Sequence, residues 1–150
     1  MTPSEVRKYI LRDHDVLREE LSSLERLARE ILAGRAPEVD RLRDEGCSFH
    51  DTLARHMEWE DAHLKPILRD IDAWGEERAR RLTEEHREQR ELLSRSLENL
   101  RDPARDASFV ARDVLALAEW LRRDMEGEEA QTLDPQVLRD DVVGIDVESG

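Results

Sequence analysis

His56-Met57-Glu58-Trp59-Glu60-Asp61-Ala62-His63-Leu64-Lys65-Pro66 sets a histidine and a carboxylate four residues apart, one turn along a helix and on the same side. That side is apolar: Leu42, Gly46, Phe49, Leu53, His56, Glu60, Leu64 and Ile67 step by three or four residues, the spacing of a core-facing stripe. A histidine and a glutamate in such a stripe lose their water on folding. An unpaired buried carboxylate is costly, and its remedies are an opposite charge, hydrogen bonds or a metal ion. Pro66 is expected to kink or end this helix, because proline lacks an N–H and crowds the preceding turn.

Three further stripes flank this one. Thr2-Pro3 reads as an N-cap followed by proline in the first helical turn, and Gly34 as the stop of that helix near Ala33. Its inward residues are Ile10, His14, Leu17, Leu21, Leu24, Ala28 and Ile31, with a histidine as the polar exception. Ala36-Pro37 opens the second helix, and the segment from Asp70 to Gly75 is the turn into a third that runs to about Arg101. The third carries Leu82, His86, Leu93, Leu97 and Leu100. Asp102-Pro103 begins the approach to a fourth, with Val110, Val114, Leu117, Leu121, Asp124 and Glu128 on one side. Asp124 fits either a core position or the hydrated edge of a face that drifts towards Ala118 and Met125. Leu133-Asp134-Pro135 ends the last helix.

These readings give an all-α chain, an up-down-up-down four-helix bundle over residues 1–138, with a short acidic C-terminal tail at 139–150. Two features bind the stripes together. The run His56-Met57-Glu58-Trp59-Glu60-Asp61, then Leu64 and Pro66, is echoed by Asp124-Met125-Glu126-Gly127-Glu128-Glu129, then Leu133 and Pro135. His14 and His86 are the matching single residues of the two halves. In such a bundle the start of the first helix, the end of the second, the start of the third and the end of the fourth share one end. Counted from that end, His14, His56, His86 and Asp124 differ in height by only about 5 Å, at roughly 1.5 Å per residue.

Composition narrows the function. Charged residues make up 41% of the 150, aromatics 4%, and the formal net charge is −13, which favours long helices and disfavours nucleic acid or an anionic membrane as partner. No apolar run is long enough for a membrane span, and the start does not read as a signal peptide. Cys47 is the single cysteine, so no intrachain disulfide is available and a reducing cytoplasm is expected. Cys47 is assigned to packing.

The candidate ligands are therefore His14, His56, Glu60, His86, Asp124 and Glu128. Imidazoles with carboxylates suit iron, manganese or zinc, and two carboxylates on facing helices suit a pair of ions. His63 forms Glu60-x-x-His63 but is nearer the bundle end, and is a lesser candidate. His50 points off the stripe and is expected at the surface.

The pattern resembles the haemerythrin-like (HHE cation-binding) domain: a lone His on the first helix, His-x-x-x-Glu on the second, a lone His on the third and a pair on the fourth. The resemblance covers residues 5–138 and rests most on His56-x-x-x-Glu60-Asp61 and Glu128-Glu129. It implies a bundle around two iron ions, oxo- or hydroxo-bridged, with His14, His56 and His86 as terminal ligands and Glu60 and Glu128 bridging. It also implies binding or sensing of O2, NO, peroxide or iron. The fourth-helix pair of the family begins with histidine, where this chain has Asp124. Oxygen carriers have a second third-helix histidine where Arg90 stands, and their fourth-helix aspartate motif is not matched. A carboxylate-rich site favours ferric iron and argues against a simple reversible O2 carrier. Two other classes compete: a di-iron oxidase or peroxidase, and a metal-stabilised adaptor without turnover. No protein partner is specified.

Overall fold

Thr2 and Pro3 start the first helix as their chemistry requires. The Thr2 hydroxyl accepts from the Glu5 amide at 3.3 Å, and the Glu5 carboxylate accepts from the Thr2 amide at 2.8 Å, a reciprocal capping box. In this computed structural model, which describes residues 1–35 and 38–141, the chain forms α1 (Pro3–Leu32), α2 (Val39–Ile71), α3 (Gly75–Arg101) and α4 (Ala107–Ala130). Gly34 ends the first hairpin's outgoing arm at φ 103°, a conformation that glycine adopts without strain. The expected opening of α2 at Ala36-Pro37 lies outside the described residues, as does the tail from 142 onward.

Pro66 neither kinks α2 to an end nor stops it, since the helix continues to Ile71. A helical proline costs roughly 3 kcal/mol. Beyond or beside it Leu64, Leu68 and Ile71 are fully buried, each contributing about 1.5–3 kcal/mol, so burial outweighs the local rule. The turn into α3 is tight enough to demand glycine: a Cβ on Gly75 would meet the Leu68 and Arg69 carbonyl oxygens at 2.3 Å. The link into α4 is short, and the helix begins at Ala107 with Asp106 as its N-cap residue. Arg43 of α2 holds that corner, donating to the carbonyls of Asp102 at 2.9 Å and Arg105 at 3.2 Å and also to Leu100, where orphan carbonyls at a helix C-terminus need donors.

The helices pack as a four-helix bundle. α1 lies on α2 and α4, α2 on α3, and the α3–α4 seam is the thinnest of the four. Two apolar clusters fill it. One contains Leu17, Leu21, Leu53, Leu93, Leu121 and their neighbours, the other Val6, Ile10, Leu64, Leu68, Leu82, Leu133 and Leu138. Between them, on every helix, the stripe is interrupted by a polar residue. His14 follows Ile10 and precedes Leu17; Glu60 precedes Leu64; His86 follows Leu82; Glu128 precedes Leu133. Beyond α4, the Asp140 carboxylate accepts from the amide and hydroxyl of Ser4 at 2.9 and 2.7 Å, tying residue 140 to the start of α1.

Candidate metal centre

The polar layer converges. His14, His56, Glu60 and Glu128 each offer a ligand atom within 4.8 Å of all the others, and all four are buried. His56 Nε2 lies 2.6 Å from Glu60 Oε1, and His86 Nε2 lies 3.0 Å from Glu60 Oε2. His14 Nε2 faces Glu128 Oε1 at 3.4 Å and Glu60 Oε1 at 3.9 Å. Glu60 therefore turns one oxygen to the His14–His56 side and the other to the His86 side. The common cavity is small, about 20 Å³, room for about one water. Leu17, Phe49, Leu53, Leu121 and Met125 form its apolar wall.

Each ring is also held from behind. His14 Nδ1 is 2.7 Å from Glu129, His56 Nδ1 is 2.9 Å from Asp13, and His86 Nδ1 is 2.7 Å from Asp61. Arg18 donates to both oxygens of Glu129, at 2.7 and 2.8 Å, and Arg90 donates to Asp61 at 2.9 Å. A carboxylate on Nδ1 fixes the tautomer that aims the Nε2 lone pair inward, the usual support of a metal-binding histidine.

Asp124 is half-buried at the margin of the same cavity, where the Gln89 amide donates to it. His63 is elsewhere. It is exposed, hydrogen-bonded to the Trp59 carbonyl at 3.0 Å and stacked on the Trp59 ring. His50, expected at the surface, is instead buried at 8% exposure with its Nε2 unpartnered. It belongs to a second buried stripe on α2, with Met57, Leu64 and Ile71 at intervals of seven. The outer carboxylates Asp13, Asp61 and Glu129 and the amide of Gln89 were not among the residues singled out from the sequence as ligands. Their signal is adjacency: Asp13-His14, Glu60-Asp61 and Glu128-Glu129 each pair an inward group with an acid beside it.

The chain matches the family model described as the Hemerythrin HHE cation binding domain over residues 6–134. It belongs to the hemerythrin HHE cation-binding family. No curated protein and no solved structure matches it significantly.

Electrostatics explain why an HHE protein needs a cation at this place. Burial pushes the Glu60 carboxyl up, but the His56 and His86 rings outweigh it and hold Glu60 well below the usual carboxylate range. Glu128 goes the other way: burial, then the neighbouring Glu60 charge, push it well above its ordinary value. Of the two, Glu128 therefore holds a proton to higher pH than Glu60 does. Burial lowers His14 and favours its neutral form, whereas at His56 burial is outweighed by Glu60 and then Asp13, which raise it. Burial raises Asp124 too, partly offset by the Gln89 hydrogen bond.

The donors fit a metal. His56 and His86 face carboxylates at both ring nitrogens, an arrangement that a cation beside each Nε2 would satisfy. Glu60 Oε1 and Glu128 Oε1 are buried without a hydrogen-bond partner, although His56 Nε2 is only 2.6 Å from the former. That approach is close but lacks hydrogen-bond alignment. Orphaned buried carboxylate oxygens are costly, and a divalent cation among them removes the cost while replacing the Glu128 proton.

Proposed function

We propose that this HHE protein binds two iron ions in its polar layer and uses them to bind or sense a small molecule, namely O2, NO or peroxide, or to report iron itself. The observation that supports it best is the set of three histidines, each held at Nδ1 by a carboxylate, with their Nε2 atoms turned on buried, unpartnered glutamate oxygens. His14 and His56 with the Oε1 atoms of Glu60 and Glu128 would hold one ion. His86 with Glu60 Oε2 would hold the other, with Asp124 beside it. Zinc and manganese suit the same donor types.

Bound iron supplies reversible one-electron chemistry and coordination positions open to a small ligand. The chain's own residues do the rest. Asp13, Asp61 and Glu129 fix the rings, the leucine-rich wall lines the cavity with apolar surface, and Glu128, which holds its proton to higher pH than usual, would release it to a bound cation. The acidic balance of −13 supports a small-molecule partner over nucleic acid or an anionic membrane surface. Among the described residues no helix is long and apolar enough to cross a membrane. A cytoplasmic setting is proposed from the single cysteine, Cys47, which is partly buried against the core.

Metal analysis with an optical spectrum tests the reading. Iron-loaded protein is expected to carry two iron ions per chain and iron charge-transfer absorption that changes when NO is added. A chain that takes up no iron and is equally stable without it would refute the proposal.

A further inference from the structure

His56 faces two ways. Its Nε2 meets the buried Glu60, and its Nδ1 meets Asp13, which is partly exposed. The ring lines the central cavity and also a separate surface groove between α1 and α2, which it shares with Tyr9, Asp13, Arg55 and Trp59. One turn along from the Asp13–His56 contact the same two helices meet again through Tyr9 and Trp59. Those rings are parallel to within 13°, with centroids 3.8 Å apart. His63 also stacks on Trp59, at 4.4 Å and 14°. Tyr9 comes four residues before Asp13 and Trp59 three after His56, so on each helix the two side chains are neighbours, about 5–6 Å apart at Cβ. Trp59 packs against the apolar cluster of Val6, Ile10 and Leu64, whereas Tyr9 is 39% exposed. The stack therefore runs from beside His56 to solvent. The other two rings are backed by charged groups instead: Glu129 and Arg18 behind His14, Asp61 and Arg90 behind His86.

The central cavity, about 20 Å³, has room for about one water. O2 and NO are of that scale, but most one-electron donors are far larger. Ferric iron has to be returned to the ferrous state before it can take up O2 again, and the electron for that step has to cross the protein wall. The π electrons of rings in contact carry an electron across such a wall more readily than saturated side chains do.

We propose that Tyr9 and Trp59 are an electron entry to the centre, leading from a donor in the α1–α2 groove to His56 and the iron it would hold. This rests on the two-iron reading above. In each transfer the donor loses one electron and one ferric ion gains it; no bond forms or breaks and no proton has to move. The net charge of −13 favours a cationic donor, so the probe is hexaammineruthenium(II), which is too large for the cavity.

Stopped-flow reduction of the ferric protein without oxygen, followed by loss of the iron charge-transfer absorption, measures the route. Trp59→Leu should slow reduction several-fold and Trp59→Phe, which keeps a ring, by less, with iron content and the starting spectrum unchanged. Tyr9→Leu, at the exposed end of the stack, should slow it too and carries the test where Trp59→Leu does not fold. Trp74→Leu, an exposed ring at the turn into α3, should leave the rate as in wild type. A second readout needs no metal. With Trp74 and Trp120 changed to Phe, Trp59 is the one tryptophan left of three, and hexaammineruthenium(III) should quench its emission in the metal-free protein. Two irons per chain reduced at the same rate in wild type, Trp59→Leu and Tyr9→Leu, or a Trp59 emission that the probe does not quench, would overturn this inference and leave the two-iron reading standing. A chain that takes up no iron would overturn both.

Discussion

Asp61 offers the sharpest test of how the histidines are held. Its Oδ1 is 2.7 Å from His86 Nδ1 and 3.2 Å from Lys65 Nζ, and its Oδ2 is 2.9 Å from an Arg90 nitrogen. Asp61→Asn keeps an acceptor for the ring but removes the charge. A charge-assisted hydrogen bond is roughly twice as strong as a neutral one, about 2 against about 1 kcal/mol. Losing that difference in ring orientation corresponds to about fivefold weaker metal binding, and losing the whole bond in Asp61→Ala to about thirtyfold. The side chain is 28% exposed, so water screens part of the interaction and both figures are upper bounds. Competition against a chelator of known affinity, with Zn2+ or with Fe2+ under anaerobic conditions, should rank wild type above Asp61→Asn above Asp61→Ala. Glu58→Ala, an exposed acid on the same helix, should match wild type. If Asp61→Ala also binds as wild type does, the carboxylates behind the rings do not orient them and that part of the reasoning fails.

Glu60→Ala should abolish metal uptake, because among the described residues Glu60 is the one carboxylate that faces all three rings, whereas His50→Ala should lower the melting temperature but keep full metal content. Metal uptake should strengthen as the pH rises, since Glu128 and His56 hold their protons to higher pH than usual and a cation must displace them; titrations at several pH values with a proton-release readout check this. The metal-free fold should behave in the opposite sense. Glu128, raised in the folded state from an ordinary 4.5, contributes stability that is lost as the pH climbs from there through its raised value, and Glu60, lowered from the same 4.5, contributes stability that is lost as the pH falls below it. The rise in melting temperature on adding metal should therefore grow from about pH 5 to about pH 7, and a constant difference would contradict the assigned proton on Glu128. Gly46→Ala should cost about 1 kcal/mol in urea unfolding, because its new methyl would sit 2.8 Å from a Leu100 methyl that must turn aside.

The bundle was legible because its stripes obey one period over long helices, and a local exception did not change the outcome. Pro66 shows the limit of reading locally: the cost of one proline is visible in the sequence, but the burial of Leu64, Leu68 and Ile71 that overrides it depends on what packs there. His50 failed for a related reason. A single stripe on α2 places His50 off the core, yet α2 packs on both α1 and α3, so its buried arc is wider than one stripe. The repeat His50, Met57, Leu64, Ile71 was present in the sequence, with a polar residue at its first place to obscure it.

The site divides in the same way. His14, His56, Glu60, His86 and Glu128 come together in one layer because helix rise alone fixes their heights. What stands behind each ring was not fixed by spacing, because Asp61 reaches across to α3 and Glu129 across to α1. Those pairings depend on which helices are neighbours and how each is rotated. Gln89 is the more instructive omission, since it needed no such knowledge. The buried residues of α3 run Leu82, His86, Gln89, Leu93, Ser96 and Leu100, an unbroken three-four alternation in which Gln89 occupies a core position by spacing alone. A stripe that steps from His86 to Leu93 passes over Gln89, the residue whose amide donates to Asp124. A carboxylate in place of a histidine looks like a loss of ligand when seen by itself. With the buried Gln89 amide donating to it one turn along α3 from His86, Asp124 is a partnered carboxylate at the edge of the polar layer and not a hydrated surface acid.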